Sequence, residues 1–223
     1  MSVSGIQAVI FDLDGTLVNS EAVAARAVGD VFARYGVSLQ PYLAELVTGK
    51  TWASAIEELE KHVVFPAPRE LILDAIIDEY RVRLKSEVHP VPGSVEAISR
   101  LVPQYRLGLV SGSYRQEILF ALGMLKVLQH FELILGAEDY PNSKPEPDGY
   151  LKALQLMGVE PHRSVVFEDS EPGIRSALSA GCKVVMVRHC GSIHPSSPWT
   201  SRVHATVETL EEISPEWIQK TFN

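Results

Sequence analysis

The feature that most constrains this chain is a short apolar run that ends at two closely spaced carboxylates. The run Ile6–Phe11 is rich in β-branched residues, which is typical of a fully buried strand. Asp12 and Asp14 follow it, and a Gly-Thr pair then turns the chain. Residues two apart in an extended segment point to the same side, so these carboxylates could converge on one volume, where a cation or a proton would offset their repulsion. The alternative is a solvated strand end followed by an ordinary Asp-Gly turn.

Composition narrows the class of protein. The 223 residues are 46% hydrophobic, enough for one large domain or two unequal ones. No apolar run approaches the roughly 20 residues that span a bilayer, and the first residues lack the pattern of a secretion signal. A net charge of −8 with scattered Lys and Arg argues against nucleic acid and membrane partners. Cys182 and Cys190 form no CxxC pair, so we expect a cytoplasmic protein, and nothing indicates an obligate oligomer rather than a monomer.

The segment after the first strand has helical periodicity throughout. Apolar residues recur at helical spacing in four stretches, which cover 20–35, 41–47, 51–61 and a segment from Pro68 onward. No strand pattern occurs between residues 17 and 86. The sequence therefore predicts a small all-helical domain, residues 18–87, inserted after the first strand of a core that comprises residues 1–17 and 88–223.

Beyond residue 88, short apolar strands alternate with helices, which indicates an α/β fold with a doubly wound parallel sheet. The strands are predicted at 107–110, 133–135, 165–167, 184–187 and, more weakly, 204–207. Three apolar runs, counting the first, end directly at Asp12, at Ser111 and at Glu168-Asp169. In a parallel sheet these strand ends lie at the same edge, where open α/β sheets bind their ligands.

This edge would bring together four carboxylates from two strands, which are Asp12, Asp14, Glu168 and Asp169. They cannot all stay ionised without compensating positive charge. An oxygen-only set suits a hard cation such as Mg²⁺, and no His or Cys joins these motifs, which disfavours zinc.

Two further motifs could bind the anionic part of a substrate. Ser111-Gly112-Ser113 offers hydroxyl and backbone N–H groups at the start of a predicted helix, although a plain helix N-cap explains it as well. Lys144 precedes Pro145 and Pro147, which stiffen the segment and could aim its ammonium. The alternative is that Lys144 is a solvated loop residue.

The order of these motifs resembles that of the haloacid dehalogenase-like superfamily. The motifs are Asp12-Leu13-Asp14-Gly15-Thr16, Ser111-Gly112, Lys144-Pro145 and Glu168-Asp169. Over essentially the whole chain, the sequence resembles the branch that contains phosphoglycolate phosphatase and beta-phosphoglucomutase, in which a helical cap follows the first motif. The resemblance implies a Rossmann-like core, a cap domain and a Mg²⁺-dependent phosphatase that acts on a small phosphorylated metabolite, either a sugar phosphate or a sugar acid phosphate.

The resemblance also implies the roles of the carboxylates. Asp12 would attack phosphorus and carry an aspartyl-phosphate. Asp14 would protonate the leaving oxygen and then deprotonate the hydrolytic water. The metal ligands would be Asp12, the Asp14 backbone carbonyl and Asp169, with Glu168 either a ligand or directly behind the ligands.

The remaining roles concern the substrate. Ser111, the Gly112 N–H and Lys144 would hold the phosphoryl oxygens. The cap would select the leaving group, and Lys50 or Trp52, between the second and third cap helices, would contact it. The alternative places Trp52 in the cap core and Lys50 in solvent.

Two other functions compete with hydrolysis. One is a phosphomutase of the beta-phosphoglucomutase kind, but the Arg and His typical of those enzymes are absent near Trp52 and Ala24. The other is a non-catalytic phosphometabolite sensor, which we would expect to lack Asp12 or Asp14. Dehalogenases of the superfamily lack an acid at the position of Asp14, so its presence favours phosphate esters.

Overall fold

The computed structural model describes residues 5–47, 52–87, 89–189 and 197–222. In these ranges the strands, in chain order, are β1 (Ala8–Phe11), β2 (Val18–Asn19), β3 (His89–Pro90), β4 (Arg106–Val110), β5 (Leu133–Leu135), β6 (Ser164–Glu168), β7 (Lys183–Val187) and β8 (Ala205–Val207). The helices of the same ranges are α1 (Glu21–Arg34), α2 (Pro41–Ala44), α3 (Trp52–Glu60), α4 (Arg69–Glu87), α5 (Ser94–Leu101), α6 (Arg115–Met124), α7 (Asp148–Met157), α8 (Glu171–Ser179) and α9 (Pro215–Phe222). None of these helices has both the length and the apolar character that crossing a membrane requires.

The central sheet of the described residues has six strands in the order β5-β4-β1-β6-β7-β8, and each neighbouring pair is parallel. Helices α6, α7 and α8 connect β4 to β5, β5 to β6 and β6 to β7, so the predicted α/β fold is confirmed. β1 lies between β4 and β6, with Phe11 opposite Leu109 on one side and Phe167 on the other. The chain therefore winds outward in both directions from β1, and the carboxyl ends of these three strands lie side by side.

β1 illustrates why the strands are apolar at every position. Val9 and Phe11 belong to a cluster of buried side chains that includes residues of α5, α6 and α9. Ala8 and Ile10 point to the opposite face and pack in a second cluster with α7 and α8. A sheet that is covered on both faces needs apolar residues on both sides of each strand, which removes the alternating pattern of a half-exposed strand.

The four helices α1–α4 pack around an apolar cluster of their own, which includes Phe32, Ile56 and Ile76. Their positions agree with the predicted helices, except that the stretch 41–47 divides into α2 and a 3₁₀ turn over Glu45–Val47. Residues 18–87 stay a proposed cap domain, and we call them the cap below.

A short strand pair lies where the chain enters and leaves the cap. Val18 pairs with Pro90 and Asn19 with His89, in an antiparallel arrangement of β2 and β3. The prediction that residues 17–86 contain no strand is therefore wrong at its first positions. Two residues are too few to show a strand pattern, and their partners are distant in sequence.

Candidate active site

Three buried carboxylates meet at the carboxyl edge of the sheet. Asp12 follows β1, and its N–H donates to the Phe167 carbonyl at 3.0 Å, which extends the pairing with β6 by one residue. Glu168 ends β6 and Asp169 follows it. One carboxylate oxygen from each of Asp12, Glu168 and Asp169 lies within 4.8 Å of those of the other two. The predicted convergence of two strand ends is thus present in the structure.

Lys144 reaches this cluster from the loop before α7. Its Nζ donates to Asp12 Oδ1 at 2.5 Å, to Glu168 Oε1 at 2.6 Å and to the Val110 carbonyl at 3.2 Å. All three ammonium hydrogens are therefore used, and only 10% of the side chain is exposed. The structure places Lys144 as an aimed, buried cation and not as a solvated loop residue.

The charges of this cluster are unevenly matched. Burial raises the pKa of Asp12 well above its ordinary value; Lys144 opposes the rise, and the neighbouring carboxylates add to it. Burial alone would lower the pKa of Lys144, but Asp12 and Glu168 outweigh it, so this pKa is raised and the ammonium stays charged. The cluster thus holds more negative charge than the ammonium offsets, and a further cation would relieve the excess.

The Glu168 carboxylate is fully surrounded by donors. Its Oε1 accepts from Lys144 and from the Tyr150 hydroxyl at 2.8 Å. Its Oε2 accepts from the Asp169 N–H at 3.2 Å and from the N–H and hydroxyl of Ser170 at 3.3 Å and 3.1 Å. Glu168 therefore holds Lys144 on one side and the start of α8 on the other.

Two glycines allow the backbone to approach these carboxylates. A Cβ at Gly15, where φ is +83°, would overlap the Asp169 carboxylate. Thr16, the next residue, donates its hydroxyl to Asp169 Oδ1 at 3.0 Å. A Cβ at Gly173, in the first turn of α8, would overlap the Glu168 carboxylate. Side chains larger than glycine at either position would displace the cluster.

Asp14 occupies a different environment, formed by hydroxyl groups. Its Oδ2 accepts from the hydroxyls of Ser113 at 2.7 Å and Ser111 at 3.3 Å. Its Oδ1 accepts from the hydroxyls of Ser20 and, at 3.2 Å, Tyr80. The Asp14 carboxylate is not one of the three that cluster. Asp14 nevertheless lies near enough for its charge to raise the pKa of Asp12, and the convergence of the two carboxylates after β1 stays a prediction.

The loop after β4 forms a tight turn beside Asp14. The Ser111 hydroxyl accepts from the Ser113 N–H at 3.0 Å, and the Tyr140 hydroxyl donates to the Ser111 carbonyl at 2.7 Å. Gly112 lies half-buried between the two serines. Both serine hydroxyls thus have defined orientations at the start of the loop that leads into α6.

Of the two residues predicted to select the substrate, the structure describes only Trp52. Lys50 lies outside the described residues. Trp52 begins α3, is 8% exposed and belongs to the apolar cluster of the cap. Its ring packs edge-on against Tyr80, with 5.1 Å between ring centroids. Contact between Trp52 and a substrate stays a prediction.

Comparison with known proteins identifies the family. The family model described as haloacid dehalogenase-like hydrolase matches residues 9–187. The chain belongs to this family. It is 33% identical over 177 residues to validoxylamine A 7'-phosphate phosphatase from Streptomyces hygroscopicus subsp. limoneus, which covers 77% of this chain and 81% of that protein. It is 29% identical over 180 residues to fructose-1-phosphate phosphatase YqaB from Escherichia coli (strain K12), which covers 80% of this chain and 95% of that protein.

The fold of this haloacid dehalogenase-like hydrolase is also found among solved structures. CbbY from Rhodobacter sphaeroides, in complex with phosphate, superposes with a TM-score of 0.84 at 24% identity, covering 96% of this chain and 99% of that one. The predicted family and fold are therefore confirmed. The enzyme class is confirmed as well, since the named homologues are phosphatases, which are phosphoric monoester hydrolases.

Sequence reasoning missed three tyrosines of this haloacid dehalogenase-like hydrolase. Tyr80, Tyr140 and Tyr150 are buried, and their hydroxyls donate to Asp14, to the Ser111 carbonyl and to Glu168. Tyr80 lies on the apolar stripe of a helix, where a tyrosine looks like an ordinary core residue, and Tyr140 and Tyr150 lie near polar segments that show no site motif of their own. A buried tyrosine hydroxyl needs a hydrogen-bond partner, and this general requirement is the only sequence signal that these tyrosines offer.

Proposed function

We propose that this hydrolase is a Mg²⁺-dependent phosphatase that acts on a small phosphorylated metabolite, either a sugar phosphate or a sugar acid phosphate. The observation that carries the proposal is the buried Asp12 carboxylate, which contacts the Lys144 ammonium beside Glu168 and Asp169. Relatives named for the 7'-phosphate of validoxylamine A and for fructose 1-phosphate support the substrate class.

The donor set fits a magnesium ion. Mg²⁺ binds oxygen at roughly 2.0–2.1 Å in octahedral geometry, so oxygen ligands lie within about 4.2 Å of one another. The carboxylate oxygens of Asp12, Glu168 and Asp169 lie within 4.8 Å of one another, close to this limit. We propose Asp12, Asp169 and the Asp14 backbone carbonyl as ligands. Because both oxygens of Glu168 already accept hydrogen bonds, we place it behind the ligands, holding Lys144. When bound, the ion would supply positive charge beside the phosphoryl oxygens.

The first half of the reaction would transfer the phosphoryl group to Asp12. A carboxylate oxygen of Asp12 attacks phosphorus, and the bond between phosphorus and the ester oxygen breaks. The electron pair stays on the departing oxygen, which takes a proton from Asp14. The products of this half are the free alcohol and an aspartyl-phosphate.

The second half would release inorganic phosphate. Asp14 takes a proton from a water molecule, whose oxygen attacks phosphorus, and the bond to Asp12 breaks. Lys144, Ser111 and the Gly112 N–H would hold the phosphoryl oxygens in both halves. The contact between Lys144 and Asp12 Oδ1 supports this role, because it places positive charge beside the attacking group.

The cap would select the leaving group. Lys50 and Trp52 stay our candidates for this selection. The burial of Trp52 against Tyr80 supports an indirect effect on the shape of the site.

The test is phosphate release from a panel of sugar phosphates, sugar acid phosphates and a phosphopeptide, with Mg²⁺ and with a chelator. We expect metal-dependent release from members of the first two groups and little from the phosphopeptide. Release from none of them would contradict the proposal, and a bisphosphorylated sugar would then test for mutase activity. Thermal unfolding provides a readout besides turnover: Mg²⁺ should raise the melting temperature of the wild type and of Glu168→Gln, but not of Asp169→Asn.

A further inference from the structure

We infer that Tyr80, in the cap helix α4, is a positioning residue for Asp14, so that protonation of the leaving group depends on the docked cap. The inference rests on the proposed acid and base role of Asp14. The Tyr80 hydroxyl comes from the cap, whereas the sequence motifs of the site lie at the carboxyl edge of the sheet.

The hydroxyl groups around Asp14 have two origins. Ser111 and Ser113 follow β4 of the core, whereas Ser20, which precedes α1, and Tyr80 belong to the cap. Tyr80 lies 66 residues beyond Asp14 in the chain, near the middle of the cap's last helix. Its hydroxyl donates to Asp14 Oδ1 at 3.2 Å. Displacement of α4 would remove this donor and leave the serine donors of the core in place.

The Tyr80 side chain has little freedom to move. It is 3% exposed, and its ring packs edge-on against Trp52. Burial and the nearby charge of Asp14 raise the pKa of the Tyr80 hydroxyl well above its ordinary value, so it keeps its proton. A fixed phenol next to a carboxyl group can donate to the ionised form and accept from the protonated form. Tyr80 can therefore hold Asp14 in one orientation through both half-reactions.

The residue after Tyr80 attaches the same turn of α4 to the core. Arg81 Nη2 donates to Glu117 Oε1 at 3.2 Å and to Gln116 Oε1 at 3.3 Å, both in α6. Glu117 is buried and also accepts from the Tyr114 N–H at 2.9 Å. Arg81 thus fixes α4 relative to the helix that follows the Ser111 loop, and this contact sets the distance between Tyr80 and Asp14.

The test compares two esters that differ in their need for an acid. A sugar phosphate must receive a proton on its leaving alkoxide, whereas 4-nitrophenyl phosphate releases a stable phenolate without one. The quantity to measure is kcat/KM, which reports the steps up to departure of the leaving group. Tyr80→Phe removes the hydroxyl and keeps the ring against Trp52. We expect kcat/KM to fall about three- to tenfold for the sugar phosphate and to change by less than about twofold for the aryl ester.

Tyr42→Phe is the matched control, because Tyr42 is also in the cap but is 62% exposed, and we expect no change on either ester. An equal fall of Tyr80→Phe on both esters would indicate a merely structural role and overturn the inference, as would wild-type values on both. A wild type that hydrolyses neither ester would instead overturn the proposed function, and the inference with it.

A double-mutant cycle tests the part assigned to Arg81. If Arg81 sets the distance between Tyr80 and Asp14, the loss caused by Tyr80→Phe on the sugar phosphate should be smaller in an Arg81→Gln background than in the wild type. Fully additive losses would show that Arg81 does not position Tyr80.

Discussion

The carboxyl edge of the sheet and the cap both contain ion pairs, but in opposite environments. At the edge, the side chains of Lys144 and Asp12 are 10% and 8% exposed, and their contact is surrounded by backbone and buried carboxylates. In the cap, Arg26 and Glu87 form a pair of similar length whose side chains are 50% and 30% exposed. The pairs look alike as contacts and differ in how much water was removed to form them.

This difference in burial distinguishes the ion pairs at the proposed reaction site from those that hold the helices of the cap together. A buried pair has lost its hydration, so removal of one partner leaves an uncompensated charge and is strongly destabilising. An exposed pair keeps its water, and its loss costs little. We propose that a carboxylate of the desolvated edge is the nucleophile, while the ion pairs of the cap hold the helices that carry Tyr80.

The largest effect expected at the edge follows from Asp12→Asn. The amide is nearly isosteric but cannot form the aspartyl-phosphate, so phosphate release should fall by about a thousandfold or more. Asp74→Asn, an exposed aspartate of α4, is the control and should match the wild type. Appreciable activity in purified Asp12→Asn would exclude Asp12 as the nucleophile.

A second large effect concerns stability. Lys144→Met leaves Asp12 and Glu168 without their cation, so the free energy of unfolding should fall by about 3–5 kcal/mol, measured by urea denaturation without divalent metal. Phosphate release should also be lost. A change of stability below about 1 kcal/mol would mean that the carboxylates are less desolvated than their burial indicates.

Most of the edge could be predicted from sequence because three of its four motifs begin where an apolar run stops, at Asp12, at Ser111 and at Glu168. Any order of parallel strands places their carboxyl ends at the same edge, so the motifs could be assembled without knowledge of the order in which the strands lie. Asp12, Ser111 and Glu168 follow or end neighbouring strands, as predicted. The central position of β1 was not needed for that conclusion.

What could not be predicted depends on tertiary contacts that leave no local pattern. Tyr80 occupies an apolar stripe of α4, and its distant partner Asp14 lies in another part of the chain. The hydroxyls that donate to Asp14 come from three different parts of the chain, and no spacing rule anticipates them. β2 has only two residues, too few to show the alternating pattern of a strand. The short helix α9 was not predicted either, and its Ile218 packs in the apolar cluster on one face of the sheet.

The smallest expected effect is the loss of stability when an ion-pair network of the cap is removed. Arg83 donates to Glu79 at 2.8 Å, to Glu87 at 2.7 Å and to Asp30 of α1. Arg83→Met keeps the aliphatic stem and removes the charge, so the free energy of unfolding should fall by about 1 kcal/mol or less. The loss should shrink further at high salt, because the Asp30 and Glu87 carboxylates are accessible to screening ions. Phosphate release should be unchanged.

Lys144→Met and Arg83→Met make the same chemical change, in that each replaces a cation that contacts more than one carboxylate with a methionine. The difference between their losses in urea denaturation, measured at low and at high salt, therefore isolates the contribution of burial. A loss at Arg83 as large as that at Lys144, and equally insensitive to salt, would show that the number of carboxylates around a cation, rather than its burial, sets the energy. The distinction between the two regions would then lie only in what the substrate contacts.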